Sequence, residues 1–280
     1  MEAIASILFI AAPLLLITLG ALISEYAGRL AMFVECMINL GAFLCFAFTV
    51  LFKNPILGIM LSTSSCVILV FILERLAHKF NANMFVCSLA MNLLFSALTS
   101  MLSAVIFKTR GVLTSDSFVF SSSSMKLWTS VFCYAGSLLT IFFIKFTYHG
   151  LNLRITGSSP EVLNANGINV ERYRAFSWIC AASFSAMSGA VYALRLSSFV
   201  PGMSSGRGWT ALAAVFLGRR NPLFIVFAVS LFAIAEYCSS HIQNIPIFAS
   251  IPSSFLISLP YLLSLLLIVI VPQKKEMPDK

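Results

Sequence analysis

The sequence predicts an all-α, polytopic transmembrane helical bundle of about eight to nine hydrophobic segments, one of them broken or re-entrant. Three observations carry this. The chain is 59% hydrophobic and only 10% charged, against about 25% charged in ordinary soluble domains, and its mean hydropathy is +0.96. Uncharged apolar runs long enough to span a bilayer recur along its whole length. One apolar piece, 209–218, is far too short to cross and is bracketed by glycines. No non-spanning stretch is long enough to build its own core, so residues 1–280 read as one membrane domain.

The first run, 3–23, has no basic flank and continues past Ala21, longer than a signal-peptide core, so it reads as the first span rather than a cleaved leader. Runs at 55–73, 85–107, 127–144, 175–194 and 255–271 contain no charge, whereas 31–52 contains Glu35 and 222–240 contains Glu236. Asn39 and Asn92 also lie inside apolar runs. Polar groups at membrane depth are costly, and face either the bundle interior or water. Two readings of these four stand side by side: lining of a solute path, or hydrogen bonding between helices. The segment 108–126 is serine-rich and reads as a loop.

Residues 147–174 form the longest polar stretch between spans. Ser159 suits an N-cap, Pro160 the first helical position and Glu161 the positive helix end. Ser158 and Glu161 have capping-box spacing. The helix so written runs 160–166 and stops at Gly167; Asn169 then caps the helix leading into the next span. In the segment 199–222, Gly202, Gly206 and Gly208 precede the short piece, and Gly218 and Pro222 follow it. Such breaks are tolerated at membrane depth only when buried in protein or lining a path. Arg207 then lies near the positive end of the half-helix, suited to an anionic group, a binding-protein contact or surface anchoring.

The net charge of +8 sets orientation rather than nucleic-acid binding, since no basic stripe interleaved with aromatics accompanies it. If 199–222 makes one crossing and the 147–174 loop is cytoplasmic, about two thirds of the 18 Lys and Arg fall inside, with the N-terminus out and the C-terminus in. That count places Arg195 and Arg207 among the outside cations. The 7 cysteines form no CxxC pair and read as small apolar helix residues, not as a metal or disulfide framework. Most of the 26 phenylalanines read as lipid-facing or packing residues. His78, His149 and His241 are scattered, and nothing points to catalysis. No G-x-x-x-x-G-K-[ST] loop is present, so nucleotide chemistry would need a separate polypeptide.

Several stretches are familiar in order. GLNLRITGSSPEVLNANGINVERYR (150–174) resembles the cytoplasmic loop of ABC permeases of the branched-chain amino acid, ribose and nucleoside type. FVPGMSSGRGWTALAAVFLGRRNP (199–222) resembles the nucleoside and simple-sugar branch, and 13–43, SLAMNLL (88–94) and LPYLLSLLLIVI (259–270), the usual last span, resemble the same family in order. Ala31, Cys36 and Ser88 stand where relatives carry Asn, Gly and Gly, and could alter solute size or packing. The resemblance implies a multi-pass permease of a bacterial cytoplasmic membrane that pairs with itself or a second permease. It implies a substrate-binding lipoprotein or periplasmic protein outside. ATP and Mg would be held by partner ATPase subunits, with no cofactor on this chain. The coupling residues would be Arg154, Ser159, Pro160, Glu161, Asn166 and Gly167. The path would involve Glu35, Asn39, Asn92, Gly202, Gly206, Arg207, Gly208 and Glu236. Nucleosides rank first as solute, then riboflavin, then simple sugars. An ion-coupled secondary transporter and a non-transporting scaffold are the alternatives; the first would show matching breaks in two halves, and only one break is evident.

Overall fold

The structure, a computed structural model, describes residues 2–109 and 111–241. The span expected at 255–271 and the basic C-terminal tail lie outside the described residues. Among those described, seven helices are long and apolar enough to cross a membrane. These are α1 (Glu2–Tyr26), α2 (Val34–Phe52), α3 (Pro55–Lys79), α4 (Met84–Phe107), α5 (Ser122–Phe146), α8 (Val170–Leu196) and α10 (Pro222–His241). Three shorter helices, α6 (Tyr148–Ser158), α7 (Pro160–Ala165) and α9 (Arg207–Leu217), complete the bundle.

Helices α1, α2 and α8 form the core. Their contact is written in small residues: a Cβ on Gly189 would lie 3.0 Å from Ala42 N, and one on Gly41 would lie 3.0 Å from the Ala186 carbonyl carbon. Only glycine lets these backbones meet, the close approach that substitutes in lipid for a hydrophobic driving force. Trp178 fills the end of this seam, its ring 5.1 Å from that of Phe33 and its Nε1 donating to Arg29 O at 2.9 Å. By contrast α3, α4 and α5 expose Met60, Leu93, Met101 and Leu139, a surface that needs lipid or protein around it.

Pro13 lies inside α1 and leaves the Phe9 carbonyl without its helical donor. Arg195 supplies one: its Nη1 reaches Phe9 O at 2.5 Å, while Nε and Nη2 bond Thr129 Oγ1 and Ser130 Oγ at 2.9 and 2.7 Å. Arg195 was expected among the loop cations; it is instead a half-buried clasp joining α1, α5 and α8. The start of α2 is satisfied from α4. Ser88 Oγ accepts from Met32 N and Phe33 N at 2.7 and 3.2 Å, and Asn92 Oδ1 accepts from Cys36 N at 2.9 Å. Ser88, a departure from the family pattern, thus has a structural task.

The serine-rich segment is not wholly loop. Leu113 and Phe199 exchange both backbone hydrogen bonds, and Phe118 is fully buried against Phe46 at 4.9 Å between centroids. Helix α5 begins at Ser122, earlier than expected, because the serines form its first turn.

Candidate functional site

The broken segment has its break at a carboxylate. Helices α1 and α8 are antiparallel: Phe9 O meets Arg195, Pro13 O accepts from Ser188 Oγ at 3.1 Å, and a Cβ on Gly20 would lie 3.1 Å from Phe184 Cβ. Past the end of α8 the chain pairs with Leu113 through Phe199, then turns back into the bundle. Ser204 arrives at α2, donating through Oγ to Glu35 Oε1 at 2.5 Å, and Gly206 N and Gly208 N donate to the two Glu35 oxygens at 2.7 Å each. Asn39 clamps the same turn, donating to Ser204 Oγ at 2.8 Å and accepting from Ser204 N at 3.1 Å. Gly206 has φ 78° as the N-cap of α9, and a Cβ on Gly208 would lie 2.7 Å from Glu35 Cα. Both positions require glycine.

From there α9 descends for 11 residues, about 16 Å. It ends where Arg220 Nη2 reaches Glu25 Oε1 at 2.7 Å, at the last turn of α1, and where Tyr26 hydroxyl donates to Arg220 O. The segment therefore passes from the Leu113 end of the bundle to the Glu25 end, with a mid-depth break capped by Glu35. A helix N-terminus is a ready anion site; here the chain's own carboxylate fills it.

Arg207 is also drawn inward. It pairs with Glu236, donates through Nη1 to Met203 O at 3.1 Å, and lies over the Tyr192 ring at 4.7 Å from the centroid. Of the three roles the sequence allows Arg207, the structure shows pairing with an anionic group: the half-buried Glu236 carboxylate needs a partner at this depth. The structure thus gathers Glu35, Asn39, Gly206, Arg207, Gly208 and Glu236 around one break. Gly202, with φ 76°, turns the chain ahead of it. Asn92 stands apart, committed to the start of α2. Ser204 and Tyr192 were not singled out from the sequence; an acid in a span followed far along the chain by a glycine- and serine-rich break was the signal available.

The 147–174 loop contains the expected α7, and an unexpected α6 before it. Helix α6 lacks an apolar stripe and starts on Thr147, whose Oγ1 accepts from Gly150 N at 3.1 Å. Two capping expectations are corrected. Ser159 makes no side-chain cap, and Ser158 Oγ bonds Arg154 O at 3.2 Å instead of forming a capping box. The backbone alone ends α6 and starts α7. The stop at Gly167 is as expected, with φ 72° and the paired bonds Gly167 N to Asn164 O and Ile168 N to Leu163 O at 3.0 and 2.9 Å. Asn169 caps α8 through Arg172 N at 3.2 Å. Leu163 anchors α7 while Glu161, Val162, Asn166 and Gly167 are exposed beside it, and Ser159 is exposed and Pro160 half-buried. Arg154 is half-buried in α6, its Nε lacking a partner among the described residues. Helix α6 rests on the end of α1, where a Cβ on Gly28 would lie 3.3 Å from Gly157 Cα.

Interrupted short apolar helices inside a helical membrane bundle accompany transport pathways, and among the described residues Arg207–Leu217 is such a helix. Comparison with known proteins gives the family. Residues 3–272 match the family model described as the branched-chain amino acid transport system permease component, and the chain belongs to that family. It is 27% identical over 278 residues to the guanosine ABC transporter permease protein NupQ of Bacillus subtilis, covering 91% of this chain and 87% of that one. It is 31% identical over 125 residues to the nucleoside ABC transporter permease protein NupC of Lactococcus lactis, covering 44% of this chain and 39% of that one. The fold is similar to a chain of the solved structure titled PsaBC from Streptococcus pneumoniae in complex with Fab, with TM-score 0.59, 13% identity and coverage of 97% of this chain and 93% of that chain.

Proposed function

We propose that this chain is the membrane-spanning permease of an ABC importer for nucleoside-like solutes, working with a second permease and with ATP-binding subunits that hold ATP and Mg. The observation that carries the reading is the Glu35-capped break inside a member of a permease family whose similar relatives are named for guanosine and nucleosides. A substrate-binding lipoprotein or periplasmic protein delivers the solute. Helix α7 is the element that an ATPase subunit grips: it is short, exposed on one side and anchored by Leu163 on the other. Its end of the bundle also gathers Arg29, Arg75, Lys79, Lys145, Arg172 and Arg174, which supports a cytoplasmic placement. With that placement the N-terminus lies outside.

The test is uptake by vesicles holding the permease pair, the ATPase and the binding protein, with labelled guanosine and with riboflavin and ribose as competitors. Guanosine accumulates only with ATP, and competition by unlabelled nucleosides exceeds that by riboflavin. Accumulation driven by an ion gradient without ATP overturns the reading. In the same vesicles Glu161→Lys, which adds a cation at the positive end of α7, lowers uptake roughly tenfold, a coupling loss of ordinary size, while the chain still inserts. Uptake and co-purification of the ATPase are the measurements.

A further inference from the structure

Between the loop helices and the break lies a charge cluster that the proposed function uses only for orientation. Arg29 sits in the turn joining α1 to α2. Its Nη1 donates to Glu74 Oε1 at 3.3 Å and its Nη2 to Glu171 Oε2 at 2.5 Å. Glu171 lies in the first turn of α8, four residues past the glycine that stops α7. Its second oxygen accepts from Arg174 Nη1, on the same helix, at 2.8 Å. The Arg29 side chain is 12% exposed and that of Glu74 3%. Arg75 Nε lies 3.8 Å from Glu74 Oε2, and His78 Nδ1 lies 3.6 Å from Glu171 Oε2.

The cluster is balanced as it stands and would stay balanced if its two sides parted. Separating a buried ion pair is costly chiefly because it strands a charge. Here neither charge is stranded. If α8's first turn withdraws, Glu171 leaves with Arg174, its helical neighbour, and Arg29 stays with Glu74. Glu74 Oε2 is buried and accepts no hydrogen bond among the described residues, so it has room for the N–H that Glu171 gives up. The turn that Arg29 belongs to leads directly into α2 and Glu35, which caps the break.

We propose that Arg29–Glu171 is a releasable latch by which the α7–α8 unit holds the α1–α2 turn, and with it the Glu35-capped break, in step with ATP hydrolysis. This deepens the reading of α7 as the ATPase grip and rests on it. Glu171 and Arg29 are positioning residues that touch neither solute nor nucleotide.

The test uses the whole reconstituted complex and reads ATP hydrolysis and solute uptake together. Glu171→Gln leaves hydrolysis running while uptake per ATP falls roughly tenfold, and Glu171→Asp restores most of it. Arg174→Gln removes the charge that accompanies Glu171 on release. It slows hydrolysis and uptake together and leaves their ratio unchanged, an effect opposite to that of Glu171→Gln. The latch is overturned if Glu171→Gln keeps the wild-type ratio, if both variants lose the ratio alike, or if Glu171→Gln no longer co-purifies with the ATPase, which would make the pair a fold contact. ATP-independent uptake by the unaltered complex sinks the importer reading instead, and is a separate result.

Discussion

Replacing Glu35 with alanine abolishes uptake, to below about a tenth of wild type, and loosens the break while the bundle remains inserted. The side chain gathers three donors at once, Ser204 Oγ, Gly206 N and Gly208 N, all within 2.7 Å. Hydrogen bonds to a charged group contribute about 1.5–3 kcal/mol each, and an unsatisfied buried donor has its own cost. The loss is not additive, but about 3 kcal/mol or more is expected at the break. Glu35→Gln loses less, because one oxygen still accepts while its amide nitrogen turns a donor toward a backbone N–H. A cysteine at Ser205, exposed in the same turn, reports the opening: its maleimide labelling rises in Glu35→Ala and changes little in Glu35→Gln. Unchanged labelling and normal uptake in Glu35→Ala would mean the break is held by other contacts.

The second large effect belongs to the α2–α8 seam. Gly189→Leu forces a side chain where even a Cβ would lie 2.9 Å from the Ile38 carbonyl carbon and 3.0 Å from Ala42 N. Neither neighbour is a flexible side-chain tip, so the helices must part, at a cost of about 3 kcal/mol or more. In detergent the melting temperature falls by roughly 6–12 °C on that basis, and yield falls with it. Gly167→Ala is the control. Its φ of 72° strains any other residue, but a Cβ there meets nothing within 4 Å, so the cost is only about 1–2 kcal/mol. Equal melting shifts in the two variants would show that the seam is not held by close backbone approach.

Much of the bundle could be read from the chain because length and hydropathy fix a span wherever the solvent is lipid. The described spans appear where apolar runs predicted them, most of them extended at ends where charged caps or serines join the helix, as at Ser122 and Lys79, while α2 starts three residues into its run, at Val34. Helix α7 and its stop were legible because Pro160, Gly167 and Asn169 act locally. Helix α6 was not, because nothing periodic marks it. The partners of Arg195 and Arg207 were hidden for a shared reason: a cation near a span end looks like an anchor until its distant partner is known. For Arg195 that partner is the carbonyl freed by Pro13; for Arg207 it is Glu236. The Glu35 site was half legible. The acid near the start of the second run and the glycine-rich break were both visible, but their meeting depends on how α2 and the 199–222 segment pack.

The proposed function requires that α7 face the cytoplasm and be gripped there by an ATP-hydrolysing partner. A cysteine at Asn164, exposed on α7, in a chain whose Cys87, Cys180 and Cys238, the three that are not buried, are replaced by serine, tests it directly with a membrane-impermeant maleimide. Labelling of inside-out vesicles stripped of the ATPase, protection when the ATPase is added back, and no labelling of intact spheroplasts are the predicted results. Labelling of intact spheroplasts from the outside would contradict the account.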